Sequence, residues 1–186
     1  FQNQLKRSPF QKKKLFIYSD DTLHLHHTLT LEPATDDLTF KSHSHNMVEI
    51  YYFLRGNARF VVEGNIFPLE RGNILVMASG QTHHLLLEPS VAYERMALLI
   101  DTVAVPREYS LLSEQIYEGA NLFVLENREQ IWFEESFLMI TKSPEDMKKN
   151  LIFSFASMIF GMLLNKLSPA IDHRIEDDII KKAINY

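Results

Sequence analysis

Two rhythms divide the chain. From Leu15 to about Leu125, apolar residues alternate with polar ones or come in short runs broken by Gly, Asn and Pro, which is the period of strands. In LHLHHTLTL, Leu23, Leu25, Leu29 and Leu31 share one face, while His24, His26, Thr28 and Thr30 share the other. That stretch reads as a half-buried strand with its histidines on a polar surface. Further strands are expected at VEIYYFLR, ARFVVE, NIFPLE, NILVM, HHLLLE, YERMALLI and NLFVL. Glu63, Gly64 and Asn65 form a hairpin turn between two of them, because Gly and Asn adopt positive φ at little cost. Many short strands with frequent turns and no intervening helix predict a sandwich or barrel.

From Asn127 onward the period lengthens to that of helices. Asn127 and Gln130 are spaced as a capping box for a helix through Ile131, Trp132, Phe137 and Leu138. A second helix is expected to start with Ser143 as N-cap, Pro144 at its first position and Glu145 and Asp146 in its first turn, and to stop near Leu167, before Pro169. A short connection makes the two an antiparallel pair. The second helix is apolar around much of its circumference, from Leu151 through Phe153, Met158 and Leu164. Either its neighbours cover it fully, or a homodimer forms by pairing helices. The apolar run from Leu151 to Leu164 falls short of the ~20 residues that span a bilayer, so a buried helix is expected and no membrane partner. The last segment, IEDDIIKKAINY, keeps helical spacing at Ile175, Ile179, Ile180 and Ala183 and breaks off without a cap, as a piece of a longer protein would.

At 186 residues and 46% hydrophobic content, the chain can bury a real core. It has no cysteine, which excludes disulfides, zinc ribbons and thiolate nucleophiles and leaves any metal to histidine, carboxylate and water. The absence of cysteine also accords with the cytoplasm. Net charge is −5, yet residues 1–14 carry five basic side chains and no acid, which leaves the remainder at −10. Such a body does not suit DNA, and the arm is expected to be a mobile, solvated terminus or else a regulatory segment that folds over a site.

Candidate chemistry concentrates in the strands. His43, His45 and Glu49 are spaced by even numbers of residues, so on extended chain all three point one way. His83 stands at the start of a later strand, after the turn ASGQT. If the sheet closes, His83 completes a set of three imidazoles and one carboxylate suited to Fe(II), Mn, Ni, Cu or Zn. The same groups could instead bond a sugar hydroxyl. Tyr51 and Phe53 continue the face of Glu49, and Leu85 and Leu87 that of His83, giving a largely apolar wall for a small organic ligand. Tyr93 and Arg95 share a face that looks either inward, where a guanidinium favours a carboxylate or a polyhydroxylated ligand, or outward, where Arg95 would pair with Glu94 or Glu70. No nucleophile motif, phosphate loop or paired acids are placed for catalysis, and no catalytic residue is assigned.

The string HSHNMVEIYYFLRG has the form H-x-H-x3-E-x6-G and resembles the first cupin motif, with His43, His45, Glu49 and Gly56 in place. GNILVMASGQTHH is similar to the second motif through Gly72, Gly80 and His83, with Ala78 where proline is usual and Leu87 where asparagine is usual. With the basic arm, the YER strand, NLFVL, two helices and IIKKAINY, the whole resembles the sensor domain of AraC-type transcription regulators. The resemblance implies a mainly β, cupin-type double-stranded β-helix (jelly-roll) barrel at 15–126, behind a basic arm at 1–14. A helical dimerisation pair at 127–168 would follow, and then, at 169–186, the start of a linker to a helix-turn-helix half absent from this chain. It implies a small-molecule effector, often a sugar or related metabolite, a homodimer through the C-terminal helices, and DNA contact only through the absent half. Tyr51, Phe53, His83 and Arg95 would bind ligand. His43, His45, Glu49 and His83 would hold one divalent ion (Zn, Ni, Mn or Fe) if any is bound. A free-standing, metal-dependent cupin dioxygenase or isomerase is the alternative.

Overall fold

A computed structural model describes residues 11–31, 41–88, 91–119 and 121–184, with 11–12 and 168–184 described by backbone alone. The strands are β1 (Gln11–Ser19), β2 (Leu23–Leu31), β3 (Met47–Arg55), β4 (Ala58–Val62), β5 (Asn65–Leu69), β6 (Asn73–Met77), β7 (His83–Leu87), β8 (Tyr93–Asp101) and β9 (Leu122–Val124). They form two antiparallel sheets, a six-stranded one in the order β1-β2-β8-β3-β6-β9 and a three-stranded one in the order β5-β4-β7. The β4–β5 hairpin turns on Glu63 and Gly64, at φ 49° and 82°, with Val62 paired to Asn65. Two central residues at positive φ give the turn whose twist matches that of the strands it joins.

The central strands of the large sheet, β8, β3 and β6, have two largely buried faces, so alternation there separates two cores and not core from solvent, while edge strand β1 leaves Leu15 and Ile17 about half exposed. Residues of one parity, including Leu23, Leu25, Val48, Ile50, Tyr52, Ile74, Val76, Leu98 and Ile100, pack under the helices. The other parity, Tyr51, Phe53, Leu75, Met77, Tyr93 and Ala97, joins Phe60, Val62, Leu85 and Leu87 of the small sheet in a second cluster that lines the space between the sheets. This arrangement corrects the reading of β2. Leu23 and Leu25 of its leucine face lie in the core under the helices, while His24, His26, Thr28 and Thr30 look into the inter-sheet lumen, where Thr28 and Thr30 are buried and the histidines half-buried. A polar face thus turned inward because the apolar face already had the helices to cover it.

The helices are α1 (Arg107–Tyr117), α2 (Asn127–Lys142) and α3 (Glu145–Ile184). The expectation of an uninterrupted β half fails at α1, which stands between β8 and β9 and buries Tyr109, Leu112 and Ile116 at helical spacing. α2 is capped one residue earlier than the spacing suggested, the Glu129 carboxylate accepting from the Glu126 N–H at 2.7 Å. Ser143 closes α2 and does not cap α3, because its hydroxyl donates back to the Met139 carbonyl at 2.7 Å. Glu145 and Asp146 do occupy the first turn of α3. Lys166 meets Glu129 at 2.6 Å, joining the far part of α3 to the start of α2 as antiparallel packing requires.

The helix does not stop before Pro169 but continues to Ile184. A proline removes one hydrogen bond from a helix interior, and strong helical spacing on both sides bridges that local loss. The side chains of the linker segment, Ile175, Ile179, Ile180 and Ala183 among them, lie outside the described residues, as do residues 1–10 of the basic arm. The arm's remainder is not a loose terminus: residues 11–14 are already part of β1, whose ladder with β2 runs from Gln11 opposite Leu31. α3 buries one stripe, Ile152, Phe155, Ala156, Ile159, Phe160 and Leu163, against the sheet, α1 and α2. The ring of Tyr109 meets Phe160 at 5.3 Å, and those of Trp132 and Phe133 meet Phe155 at 5.9 and 4.9 Å. By length and composition the stretch Glu145–Leu167 could also cross a membrane, a measure that core helices pass equally.

Candidate functional site

The two histidine-bearing segments are zipped together by their backbones. The His43 N–H donates to the His83 carbonyl at 3.1 Å and the His83 N–H to the His43 carbonyl at 2.9 Å, while the Gly80 N–H reaches the His45 carbonyl at 2.9 Å. Gly80, at φ 84°, makes the tight turn that delivers His83 to this pairing. The imidazole centroids of His43 and His45 lie 4.5 and 5.0 Å from that of His83.

Backbone carbonyls fix all three rings. The Nδ1–H groups of His43, His45 and His83 donate to the carbonyls of Lys41, Met47 and Gln81, at 3.0, 2.9 and 2.9 Å. A carbonyl can only accept, so Nδ1 carries the proton and each Nε2 is left with a lone pair. This is how proteins orient imidazoles toward a cation. One ring nitrogen from each histidine falls in a group within 4.8 Å of one another, and these three histidines could hold a metal ion.

Glu49 sits against two of the three, its Oε2 3.2 Å from His45 Nε2 and 3.5 Å from His83 Nε2. Burial pushes its carboxyl up, but the adjoining imidazoles of His45 and His83 and the charge of Arg95 outweigh this and hold it well below the usual carboxylate range. The bond to Glu49 raises the His45 pKa against the opposing effect of burial. Lone pairs on imidazole and carboxylate repel at this distance unless a positive charge lies between them, and either a second proton on His45 or a metal ion supplies it. His83 Nε2 is buried without a hydrogen-bond partner, as a vacant ligand atom would be. The donor set therefore fits a divalent cation.

Further along the lumen the registers align Thr28, Arg95 and Phe53 in one cross-strand row and His26, Ala97 and Tyr51 in the next. Arg95 faces inward, contrary to the reading that paired it with Glu94 or Glu70. On the outer face Glu94 instead bonds Arg55 at 2.8 Å and His27 at 2.7 Å. The Arg95 guanidinium donates to His26 Nε2 at 2.9 Å and lies 5.2 Å from the Tyr51 ring centroid. Thr28 Oγ1 and the hydroxyls of Tyr51 and Tyr93 are buried with no hydrogen-bond partner. Burial pushes the Tyr93 pKa up, so it stays a neutral hydroxyl. An unpaired buried hydroxyl costs about 1–3 kcal/mol, and three on one wall call for an external partner.

Seven of the residues that the spacing singled out thus border one lumen: His43, His45, Glu49 and His83 at one pole, with Tyr51, Phe53 and Arg95 beyond. Reading β2 as a surface strand hid His26 and Thr28. Their shared parity, and the pairing of β2 with β8, carried the signal.

A family model described as "AraC-like ligand binding domain" matches residues 27–130, more than half of the chain and the whole of both histidine segments. The chain belongs to the AraC-like ligand-binding domain family. No curated protein matches it. Among solved structures it is similar to the Cnp3 cupin domain of Schizosaccharomyces pombe, at 9% identity and TM-score 0.42, over 52% of this chain and 68% of that one. A cupin superfamily protein from Desulfitobacterium hafniense aligns at 10% identity and TM-score 0.40, over 50% and 77%. A predicted oxalate decarboxylase from Thermotoga maritima aligns at 23% and TM-score 0.36, over 41% and 64%. These likenesses concern the fold alone.

Proposed function

We propose that this AraC-like domain is the effector-sensing and dimerisation half of a bacterial transcription regulator, without catalytic activity, and that its effector is a sugar or related metabolite held in the lumen. The observation that carries the reading is the wall of buried, unpartnered hydroxyls beside Arg95, since a small polar molecule would satisfy groups that the protein leaves bare. The order of elements supports the regulator role: the barrel is followed by helices, and α3 leads on to Ile184. A regulator works in the cytoplasm and meets DNA through a separate domain. Effector binding then shifts a population of arm or helix positions.

A divalent ion (Zn, Ni, Mn or Fe) at His43, His45, Glu49 and His83 would act here as an electrostatic anchor for an oxygen of the effector. The chain's own part is to orient the imidazoles through backbone carbonyls and to keep Glu49 ionised. The same four residues favour a second reading, a metal-dependent cupin enzyme, in which the ion would polarise a substrate oxygen.

The coding sequence downstream of Tyr186 tests the regulator reading. It is expected to continue in frame into two helix-turn-helix motifs, and a stop codon directly after Tyr186 would remove that reading and favour the enzyme.

A further inference from the structure

Arg95 is placed unlike a structural arginine. Ala97, the smallest side chain in its cross-strand row, stands between His26 and Tyr51, and the guanidinium reaches His26 on one side and overlies the Tyr51 ring on the other. One of its five N–H donors goes to His26. Among the described residues no carboxylate lies within ion-pairing distance of it. The orphaned hydroxyls of Thr28, Tyr51 and Tyr93 belong to the same wall, each on a residue at most 3% exposed.

We propose that this pole of the lumen binds the carboxylate of a small hydroxylated organic acid, a 2-hydroxy acid or a uronic acid, with Arg95 gripping the carboxylate and Thr28, Tyr51 and Tyr93 bonding the remaining oxygens. The inference rests on the lumen being the effector site and names the chemical class of the effector. A neutral polyol would satisfy the hydroxyls and leave the remaining guanidinium donors without an anionic acceptor. A cationic ligand would be repelled by Arg95. A dianion such as a phosphate ester would exceed the single positive charge that Arg95 offers. A carboxylate matches the guanidinium in charge and in planar, two-pronged geometry.

The test uses matched pairs that differ in the carboxylate: D-galacturonate against D-galactose, and lactate against 1,2-propanediol, at constant ionic strength, read by calorimetry and thermal shift on the full chain. At least one acid is expected to bind and raise the melting temperature, with its neutral twin at least roughly tenfold weaker. Arg95→Gln should abolish the preference, Arg95→Lys should keep part of it, and Tyr93→Phe should weaken the acid by roughly tenfold with the fold intact. Ala97→Leu, which fills the space beneath the guanidinium, separates the two levels of the claim. If neutral and acid twins bind alike, Arg95→Gln changes nothing and Ala97→Leu blocks both, the carboxylate assignment fails and the lumen reading stands. If binding survives Ala97→Leu and Arg95→Gln alike, the lumen is not the effector site and both fail. Failure of both acids to bind at millimolar concentration overturns the carboxylate assignment.

Discussion

Gly56 closes the turn between β3 and β4 at φ 129°, and a Cβ there would stand 3.2 Å from the Ala92 carbonyl oxygen and 3.3 Å from Tyr93 Cα, both backbone atoms that cannot swing aside. Gly56→Ala should therefore cost about 1–3 kcal/mol, seen as a lowered urea midpoint at unchanged slope, and should disturb the strand that carries Tyr93. Ala78 shows the same dependence on local backbone. Where related motifs place proline, its N–H donates to Gln81 Oε1 at 2.9 Å, and that oxygen also accepts from Asn121 Nδ2 at 2.9 Å. Proline has no such donor, so in this chain the turn before His83 is held by a side-chain network instead. The metal site is tested at the same scale. Protein purified without a histidine tag should carry one divalent ion per chain by elemental analysis, and His45→Ala should reduce it at least tenfold, since both a ligand and the Glu49 partner are lost. Stoichiometric metal retained in the variant would remove His45 from the ligand set.

Among the elements, α1 is the one the strand-like first half concealed. Tyr109, Leu112 and Ile116 have helical spacing, but the helix is only Arg107–Tyr117, begins after Pro106 without a side-chain cap, and lies between two strands. Short apolar runs do not distinguish helix from strand by period alone. The hairpin at Glu63 and Gly64 was legible because turn chemistry acts locally, whereas the meeting of His83 with the His43 segment was expected only if the sheet closed, as the resemblance to the cupin motifs implied. The inward turn of β2 was not, because which face meets solvent depends on helices that arrive more than 70 residues later in the chain. Leu112, fully buried against α3, measures how far α1 supports the fold: Leu112→Ala should destabilise by about 2–5 kcal/mol in chemical unfolding. The β1–β2 turn tests the contact between sheet and helix. Partial burial pushes the Asp20 carboxyl up, but hydrogen bonds from the Thr22 N–H, Lys149, the Thr22 hydroxyl and Tyr18 prevail and hold it below the usual range. A carboxyl depressed in the folded state stabilises fully above its unfolded pKa of about 3.9, and that contribution is lost as pH falls below it. Asp20→Asn should accordingly lower stability at pH 7 by about 1 kcal/mol or less and by a smaller amount at pH 2, where the loss of the charge's contribution is under way, with thermal melts across the acid limb as the readout. An equal loss at both pH values would mean that the shape of the turn matters and the charge does not.

At the scale of the whole molecule, the helices cover one face of the large sheet and leave an outer stripe of their own. The inner stripe of α3 is fully packed, so the surplus apolar character seen in the sequence resolves into Leu151, Phe153, Met162 and Leu164, half-covered, and Met147 and Met158, half-exposed. Met147, Leu151, Ser154, Met158 and Gly161 recur at helical spacing along one line, and a Cβ added at Gly161 would meet nothing within 4 Å. α2 adds Ile131, Leu138 and Met139, each about half exposed or more. Single exposed apolar residues are ordinary, but a continuous stripe with small residues between larger ones suits the close approach of a second helix. If the domain dimerises through its helices, as proposed, Met158→Glu should convert a dimer into a monomer in sedimentation equilibrium, weakening association by roughly a hundredfold or more, because the new carboxylate would lose its water at the interface. The monomer's own stability should change by less than about 0.5 kcal/mol, since Met158 is half in solvent already. The pairing of those two readouts gives the test its force. A variant that dissociates and also unfolds would show that Met158 supports the fold, whereas a wild-type chain that sediments as a monomer, or a variant that remains dimeric, would move the interface away from α3.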